Sequence, residues 1–207
     1  MKLWKVVPLM GCLLASMAAF AADGSSLKPP AGASVALVIF EDLECPRCAQ
    51  AWPIVESASQ TYKVPVVVHD VPLRYHPWAW DAALTARYIE QKYGRTVSDK
   101  FRDYIYRCQP QITKGNLQSY TDKFCGENKI ALPFALDPQG RIADGIRADL
   151  DLATKVQLTE TPTIFVVSAN RWAQVADDRA HLYGAVEQMK LEAAPAPATP
   201  KRSKTKQ

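Results

Sequence analysis

Cys45 and Cys48, separated by Pro46 and Arg47, are the residues of this sequence best suited to chemistry. Thiol–disulfide exchange needs one thiolate to attack a disulfide sulfur and a second thiol within reach to resolve the mixed disulfide. The apolar run Val35-Ala-Leu-Val-Ile-Phe40 precedes the pair, and residues of helical character follow from Pro46. Cys45 is therefore expected at a helix N-terminus, where unpaired N–H groups and the positive end of the helix dipole stabilise a thiolate. Pro46 in the first turn lacks only an N–H that has no partner there. Cys48 lies three residues on and shares the same helix face, so Cys45 reads as the attacking sulfur and Cys48 as the resolving thiol. A C-x-x-C is also half of a zinc knuckle, or of a thiol site that delivers copper or zinc. The zinc reading needs a second pair at suitable spacing. Cys108 and Cys125 have sixteen residues between them, and no His stands near either pair in sequence. A structural zinc site is not expected and no cofactor is called for, while a module that delivers copper or zinc through the two thiols stays open as the alternative.

Elements to position this pair can be read along the chain. Val35 to Phe40 has the length and continuous apolar character of a strand buried on both faces. A helix from Pro46 to about Tyr62 and a second β-branched run at Val64 to Val68 complete a strand–helix–strand unit, which implies a parallel pair. The pattern then becomes helical only. Trp78, Ala82, Thr85 and Ile89 recur at helical steps behind Pro77, and Val97, Phe101, Tyr104 and Cys108 repeat them. Leu117, Tyr120, Phe124 and Cys125 form a third stripe, and Ile142, Ile146, Leu150, Ala153 and Val156 a fourth. After Thr161-Pro162, Thr163 to Val167 reads as a third strand and Trp172 to Ala176 as its antiparallel partner. Asp177 or Asp178 can cap a last helix ending near Glu192. Residues 23–34, with Gly, Ser and Pro-Pro, read as an irregular lead-in. Gly140 and Gly145 are followed by Ile146-Arg147, so they do not form a phosphate-binding loop.

The termini carry addresses rather than fold. Lys2 and Lys5, the apolar stretch Val6 to Phe20 and the small residues Ala19 and Ala21 read as a secretory signal peptide over residues 1–22. The apolar stretch is too short to span a bilayer, and Cys12 is poorly placed for lipidation. The chain is thus expected to be exported, most simply to a bacterial periplasm, where disulfides persist. Removing Cys12 leaves four cysteines. Pairing Cys45 with Cys48 leaves Cys108 with Cys125, a structural bridge expected to contribute roughly 3 kcal/mol in the chain-entropy model. Residues 195–207, Pro- and Ala-rich and then basic, read as a disordered tail. The formal charge of +4 in 207 residues rests on six basic residues at the two ends, leaving the middle slightly acidic. Nothing in that balance argues for nucleic acid.

Phe40-Glu-Asp-Leu-Glu-Cys-Pro-Arg-Cys48 resembles the active-site segment of the DsbA-like thiol–disulfide oxidoreductases of the thioredoxin superfamily. Pro53, the segment Val71-Pro-Leu-Arg-Tyr-His-Pro77 and the late Thr161-Pro162 agree with the resemblance, which covers about Val35 to Glu192. It implies an α/β thioredoxin fold over about 35–194, with a helical insertion at about 77–158. It also implies a cis Pro162 that, with Thr161, contacts the substrate chain beside Cys45. Two positions depart: Ile39 stands where relatives commonly carry a buried carboxylate, and Glu160 where a Gly often precedes Thr-Pro. Asp42, Glu44, Arg47 and Glu160 are the candidate tuning residues. Glu44 and Glu160 near the sulfur would raise the Cys45 pKa against the helix terminus and Arg47, predicting a mild oxidant. The implied partners are exported proteins and a membrane quinone-linked thiol oxidase. With no dimerisation domain in view, a monomeric oxidant is favoured over a reductase or isomerase. His69, His76 and His181 are scattered and read as strand-end or surface residues. The Tyr75-His76-Pro77-Trp78 cluster with Trp80 reads either as a substrate lip or as an aromatic helix start packed on the core.

Overall fold

In the computed structural model, which describes residues 22–193, β1 (Val35–Glu41) is buried along its whole length. Alternate side chains of a strand point to opposite faces, and here both faces are covered. Val35, Leu37 and Ile39 pack under α1 (Pro46–Tyr62) and α6 (Arg179–Ala193), with Ala51, Val55 and Val186. Ala36, Val38 and Phe40 pack on the other face with Ala153 and Val156 at the end of α5 (Arg141–Lys155). This double burial is why the run is apolar at every position up to Phe40.

β1 is central in a four-stranded sheet of order β2-β1-β3-β4. β2 (Val66–Asp70) runs parallel to it, with Leu37 opposite Val66 and Glu41 opposite Asp70. β3 (Thr163–Ser168) is antiparallel on the other side, with Phe40 opposite Thr163, and β4 (Trp172–Val175) closes that edge. The parallel pair and the final hairpin are those expected from the sequence. β2 begins and ends two residues later than Val64 to Val68, because His69 and Asp70 find buried polar partners that an apolar-run criterion does not register.

Between β2 and β3 lie α2 (Ala79–Tyr93), α3 (Arg95–Cys108), α4 (Leu117–Glu127) and α5, the expected helical insertion. Gly140 supplies the left-handed turn (φ +73°) from which α5 starts. The insertion has its own apolar centre of Trp78, Ile89, Phe101, Ile105 and Phe124, and this reaches Cys45, Cys48 and Trp52 on α1. α1 thus serves both layers: Cys48 and Trp52, one turn apart, face the insertion, whereas Ala51, Val55 and Ala58 face the sheet.

A buried charged cluster joins insertion to sheet. Arg102 of α3 reaches Glu41 and Asp70, the last residues of β1 and β2, bonding Asp70 at 2.8 and 3.2 Å. Arg87 of α2 bonds Asp70 and Asp149 of α5, and His69 bonds Asp149 at 2.7 Å. Arg102, Glu41 and Asp70 are almost completely withdrawn from solvent. Such a network resists loss of any one member, since that would strand an uncompensated charge in the interior.

The lead-in is more ordered than expected. Asp23 caps a single 3-10 turn at Gly24–Ser26, and its N–H donates to the Val156 carbonyl at 2.7 Å. Gly24 lies so close to Phe165 and Trp172 that a Cβ would come within 2.8 Å of both rings. The expected leader, apart from Ala22, and the expected basic tail lie outside the described residues.

Candidate active site

Cys45 occupies the N-cap position of α1 with an extended backbone (φ −79°, ψ 120°), and Pro46 opens the first turn. No side chain caps this terminus, so the N–H groups of Arg47 and Cys48 are left to face the Cys45 sulfur. The Cys45 thiol is pulled from its ordinary 9.0 down to about 5. The largest cause is the hydrogen bond from the Cys48 thiol. Burial opposes it, and the Thr161 hydroxyl and the two N–H groups add to it. That hydroxyl is buried and makes no hydrogen bond of ordinary geometry among the described residues, so the Cys45 sulfur is the acceptor nearest to hand. Cys48 behaves oppositely: burial pushes its thiol well above the usual range, with the neighbouring Cys45 sulfur and Glu41 pushing the same way. One sulfur of the pair is thus favoured as the thiolate and the other keeps its proton.

The Thr161–Pro162 peptide bond is cis, and the Thr161 carbonyl lies 3.3 Å from the Cys45 sulfur. Residues expected to meet from 116 positions apart are therefore in contact. On the other side, Gln109 just past α3 donates to the carbonyls of Leu43 and Cys45 at 2.9 and 3.1 Å. The insertion thereby braces the loop that carries the nucleophile.

The tuning residues divide: Arg47 lowers the Cys45 pKa as expected, and the two acids are held by other partners. Glu160 lines the cavity beside Cys45, but its carboxylate pairs with the Arg47 guanidinium at 2.7 Å, and Arg47 also reaches Asp177 at 3.2 Å, all at the surface. Arg47 acts on Cys45 through its backbone N–H. The Glu44 carboxylate turns away to accept the Trp78 N–H at 2.7 Å, near the start of α2. The Asp42 carboxylate accepts the N–H groups of Glu44 and Leu73 and bonds His76 Nδ1, each at 2.7 Å, while the Asp42 N–H approaches Cys48 Sγ at 3.4 Å. The expected brake on the thiolate from Glu44 and Glu160 is therefore not built, because each acid has a nearer cationic or N–H partner.

Cys108 and Cys125 are free thiols, so the expected structural bridge is not formed. In the insertion, Phe124 packs on Phe101 and Tyr104, with ring centroids 5.2 and 5.4 Å apart, and Cys125 follows it, buried in the last turn of α4. Cys108 ends α3, one turn beyond Tyr104. Burial pushes the Cys125 thiol up to about 11, with Asp122 adding to it. Among the described residues, no group of three or more His, Cys, Asp or Glu side chains is placed to hold a metal ion.

Glu41 and Tyr106 were not singled out by the sequence. Glu41, four residues before Cys45, is the buried carboxylate of this site, and its position differs from Ile39. It accepts the Tyr106 hydroxyl at 2.6 Å, and burial raises its pKa despite the Arg102 guanidinium. Its place directly after an apolar run is the only sequence signal it leaves.

A cavity of about 610 Å³ opens beside the nucleophile, lined by Cys45, Tyr75, His76, Leu150, Glu160 and Thr161 among others. The aromatic cluster divides here: Tyr75 is exposed on the cavity rim and His76 lines its wall, whereas Trp78 is buried in the insertion core. His69 lies within the charged cluster, and His181 pairs with Asp178 at the surface.

Comparison with known proteins bears on this arrangement. The family model described as Thioredoxin matches residues 30–179. Among solved structures, a periplasmic thioredoxin-like protein from Salmonella enterica serovar Typhimurium superposes with a TM-score of 0.62 at 19% identity, covering 78% of this chain and 87% of that one. Wolbachia pipientis alpha-DsbA1 gives 0.63 at 14% identity over 80% and 90%. Pseudomonas aeruginosa DsbA2 gives 0.58 at 19% identity over 80% and 93%. No curated protein matches the sequence. The shared property is the fold: a thioredoxin sheet with a helical insertion.

Proposed function

The chain belongs to the thioredoxin family, and from that premise we propose that it is a thiol:disulfide oxidoreductase that oxidises exported proteins through Cys45-Pro46-Arg47-Cys48. The observation that carries the reading is the asymmetry of the two thiols, with Cys45 held down to about 5 and Cys48 pushed up. A stabilised thiolate stabilises the reduced protein, and a stable reduced form makes its disulfide a strong oxidant. In the oxidised protein, a substrate thiolate attacks Cys45 Sγ and the Cys45–Cys48 bond breaks, leaving Cys48 to take a proton in its buried site. A second substrate thiolate then attacks the substrate sulfur of the mixed disulfide, and Cys45 leaves as the thiolate that its hydrogen bonds favour. Thr161 and Pro162 hold the substrate backbone beside that sulfur. A periplasmic setting is supported by the leader-like first 22 residues and by likeness to a periplasmic thioredoxin-like protein. Reoxidation by a membrane quinone-linked thiol oxidase and action as a monomer complete the proposal.

Equilibration with glutathione tests it. The expected reduction potential is well above that of a thioredoxin reductant, about −270 mV. A value at or below that figure would reverse the direction and make the protein a reductase. Cys48→Ala should accumulate mixed disulfides with exported proteins, and Cys45→Ala should not.

A further inference from the structure

His76 is not part of the exchange described above, yet it lines the same cavity as Cys45. Its ring is held by one bond, from Nδ1 to the Asp42 carboxylate at 2.7 Å. That carboxylate is completely buried and already accepts the N–H groups of Glu44 and Leu73. A carboxylate receiving such donors accepts from the ring as well, so Nδ1 carries the hydrogen, and it is Nε2 that is left to exchange a proton. No group among the described residues hydrogen-bonds Nε2. Asp42 is also tied to the nucleophile loop: its carbonyl accepts the Cys45 N–H at 3.0 Å, and its N–H meets Cys48 Sγ. The two ends of the loop that shapes this wall, Leu73 and His76, thus share one anchor, set one turn before the nucleophile.

We propose that His76, oriented by Asp42, is the general base that removes the proton from a substrate cysteine entering the cavity. This rests on the oxidoreductase reading and deepens it. An ordinary cysteine has a pKa near 8.5, so at neutral pH only a few per cent of it is the attacking thiolate. The substrate S–H gives its proton to Nε2, and the resulting thiolate attacks Cys45 Sγ. The Cys45–Cys48 bond breaks, its electron pair goes to Cys48, which takes up one proton from solvent, and the imidazolium releases the substrate's proton to water through the open cavity, so that protons balance. The substrate sulfur is oxidised and the enzyme disulfide reduced, with no further reactant. The charged and titratable groups around His76 are Asp42 and Glu44 on the nucleophile loop, Tyr75 beside it, and Cys45, Arg47 and Glu160 across the cavity.

The test compares two thiol probes against the oxidised protein in stopped flow from about pH 5.5 to about pH 9, a range that brackets the ordinary thiol pKa. One is a cysteine-containing peptide with an ordinary alkyl thiol; the other is an aromatic thiol that is already ionised throughout. In His76→Asn, whose amide can keep the Asp42 bond but cannot exchange a proton, the peptide reaction should fall about tenfold or more relative to the aromatic one. The gap between variant and wild type should close as the pH passes the peptide's own pKa. His76→Gln should behave alike. Equal slowing of both thiols would show a structural or binding role and overturn the proposal, as would no slowing of either. A wild-type protein that oxidises neither probe would overturn the oxidoreductase reading instead, and the glutathione potential above reports on that separately.

Discussion

The strand–helix corner and the helical insertion each hold a pair of cysteines, and the same side chain behaves in opposite ways in them. At the corner, Cys45 faces the unpaired N–H groups of a helix start, a thiol and a buried hydroxyl, and its pKa drops to about 5. In the insertion, Cys125 lies in the last turn of α4 among Phe124, Tyr104 and Leu117, where the N–H groups are already bonded within the helix, and burial drives the thiol up to about 11. Burial is common to both. What separates them is whether donors are left over to meet the negative charge, and a helix N-terminus leaves N–H groups over where a C-terminus leaves only carbonyls.

The broadest test of that contrast is activity. Cys45→Ala should abolish disulfide exchange, whereas Cys108→Ala with Cys125→Ala should leave the rate of peptide oxidation near wild type. Loss of activity in the insertion double variant would mean that the second pair takes part. Reactivity should differ almost as sharply. At pH 7 the thiolate fractions of Cys45 and Cys125 differ by about four orders of magnitude. Brief iodoacetamide treatment of the reduced native protein should therefore label Cys45 alone. In the Cys45→Ala, Cys48→Ala protein, denatured without reductant, both Cys108 and Cys125 should become labelled. Protection of both thiols in that variant would restore the bridge.

The two regions are coupled through Arg102, and breaking that coupling is the next largest effect. Arg102→Met should cost roughly 3–5 kcal/mol in denaturant unfolding, since it strands Glu41 and Asp70 in the interior. A loss below about 1 kcal/mol would show that solvent reaches them.

A smaller effect is the pH dependence of the redox forms. The folded Cys45 pKa of about 5 lies below its ordinary 9.0, so between these values the reduced folded protein binds fewer protons than its unfolded chain. The thiolate's stabilisation is complete above about pH 9 and lost as the pH falls through about 5. Thermal unfolding of reduced protein should thus gain on oxidised protein steadily as pH rises through that window, and parallel curves would contradict the assignment. Smallest is the contrast between two neighbours of the sulfur. Thr161→Val should raise the Cys45 pKa, read from thiolate absorbance, and Glu160→Gln should leave it unchanged because Arg47 already holds that carboxylate.

Much of this was written in patterns that short-range physics imposes. Strict apolar runs revealed β1 and β3 because both faces are covered, and stripes at helical steps revealed α2 to α5. The C-x-x-C, placed between a buried strand and a proline at the first helical turn, located the site. Residues with mixed signals were harder to read. Glu41 and Asp70 close their strands as acids, and charge reads as surface unless a partner is known. That partner, Arg102, lies far along the chain on α3 and belongs to a stripe whose apolar members alone were legible.

From its sequence alone, then, the chain determined the order of its elements and the helix start that carries Cys45, while the Thr-Pro that meets it was implied only by the family resemblance. These depend on local propensity and on periodicity, which act over a few residues. The tertiary structure alone decided where the charges point. Glu160 turns to Arg47, Glu44 to the start of α2, and Asp42 to His76. Electrostatic and hydrogen-bond partners are chosen by distance in space, and a difference of one helical turn or one side-chain rotamer exchanges one partner for another without altering the pattern along the chain.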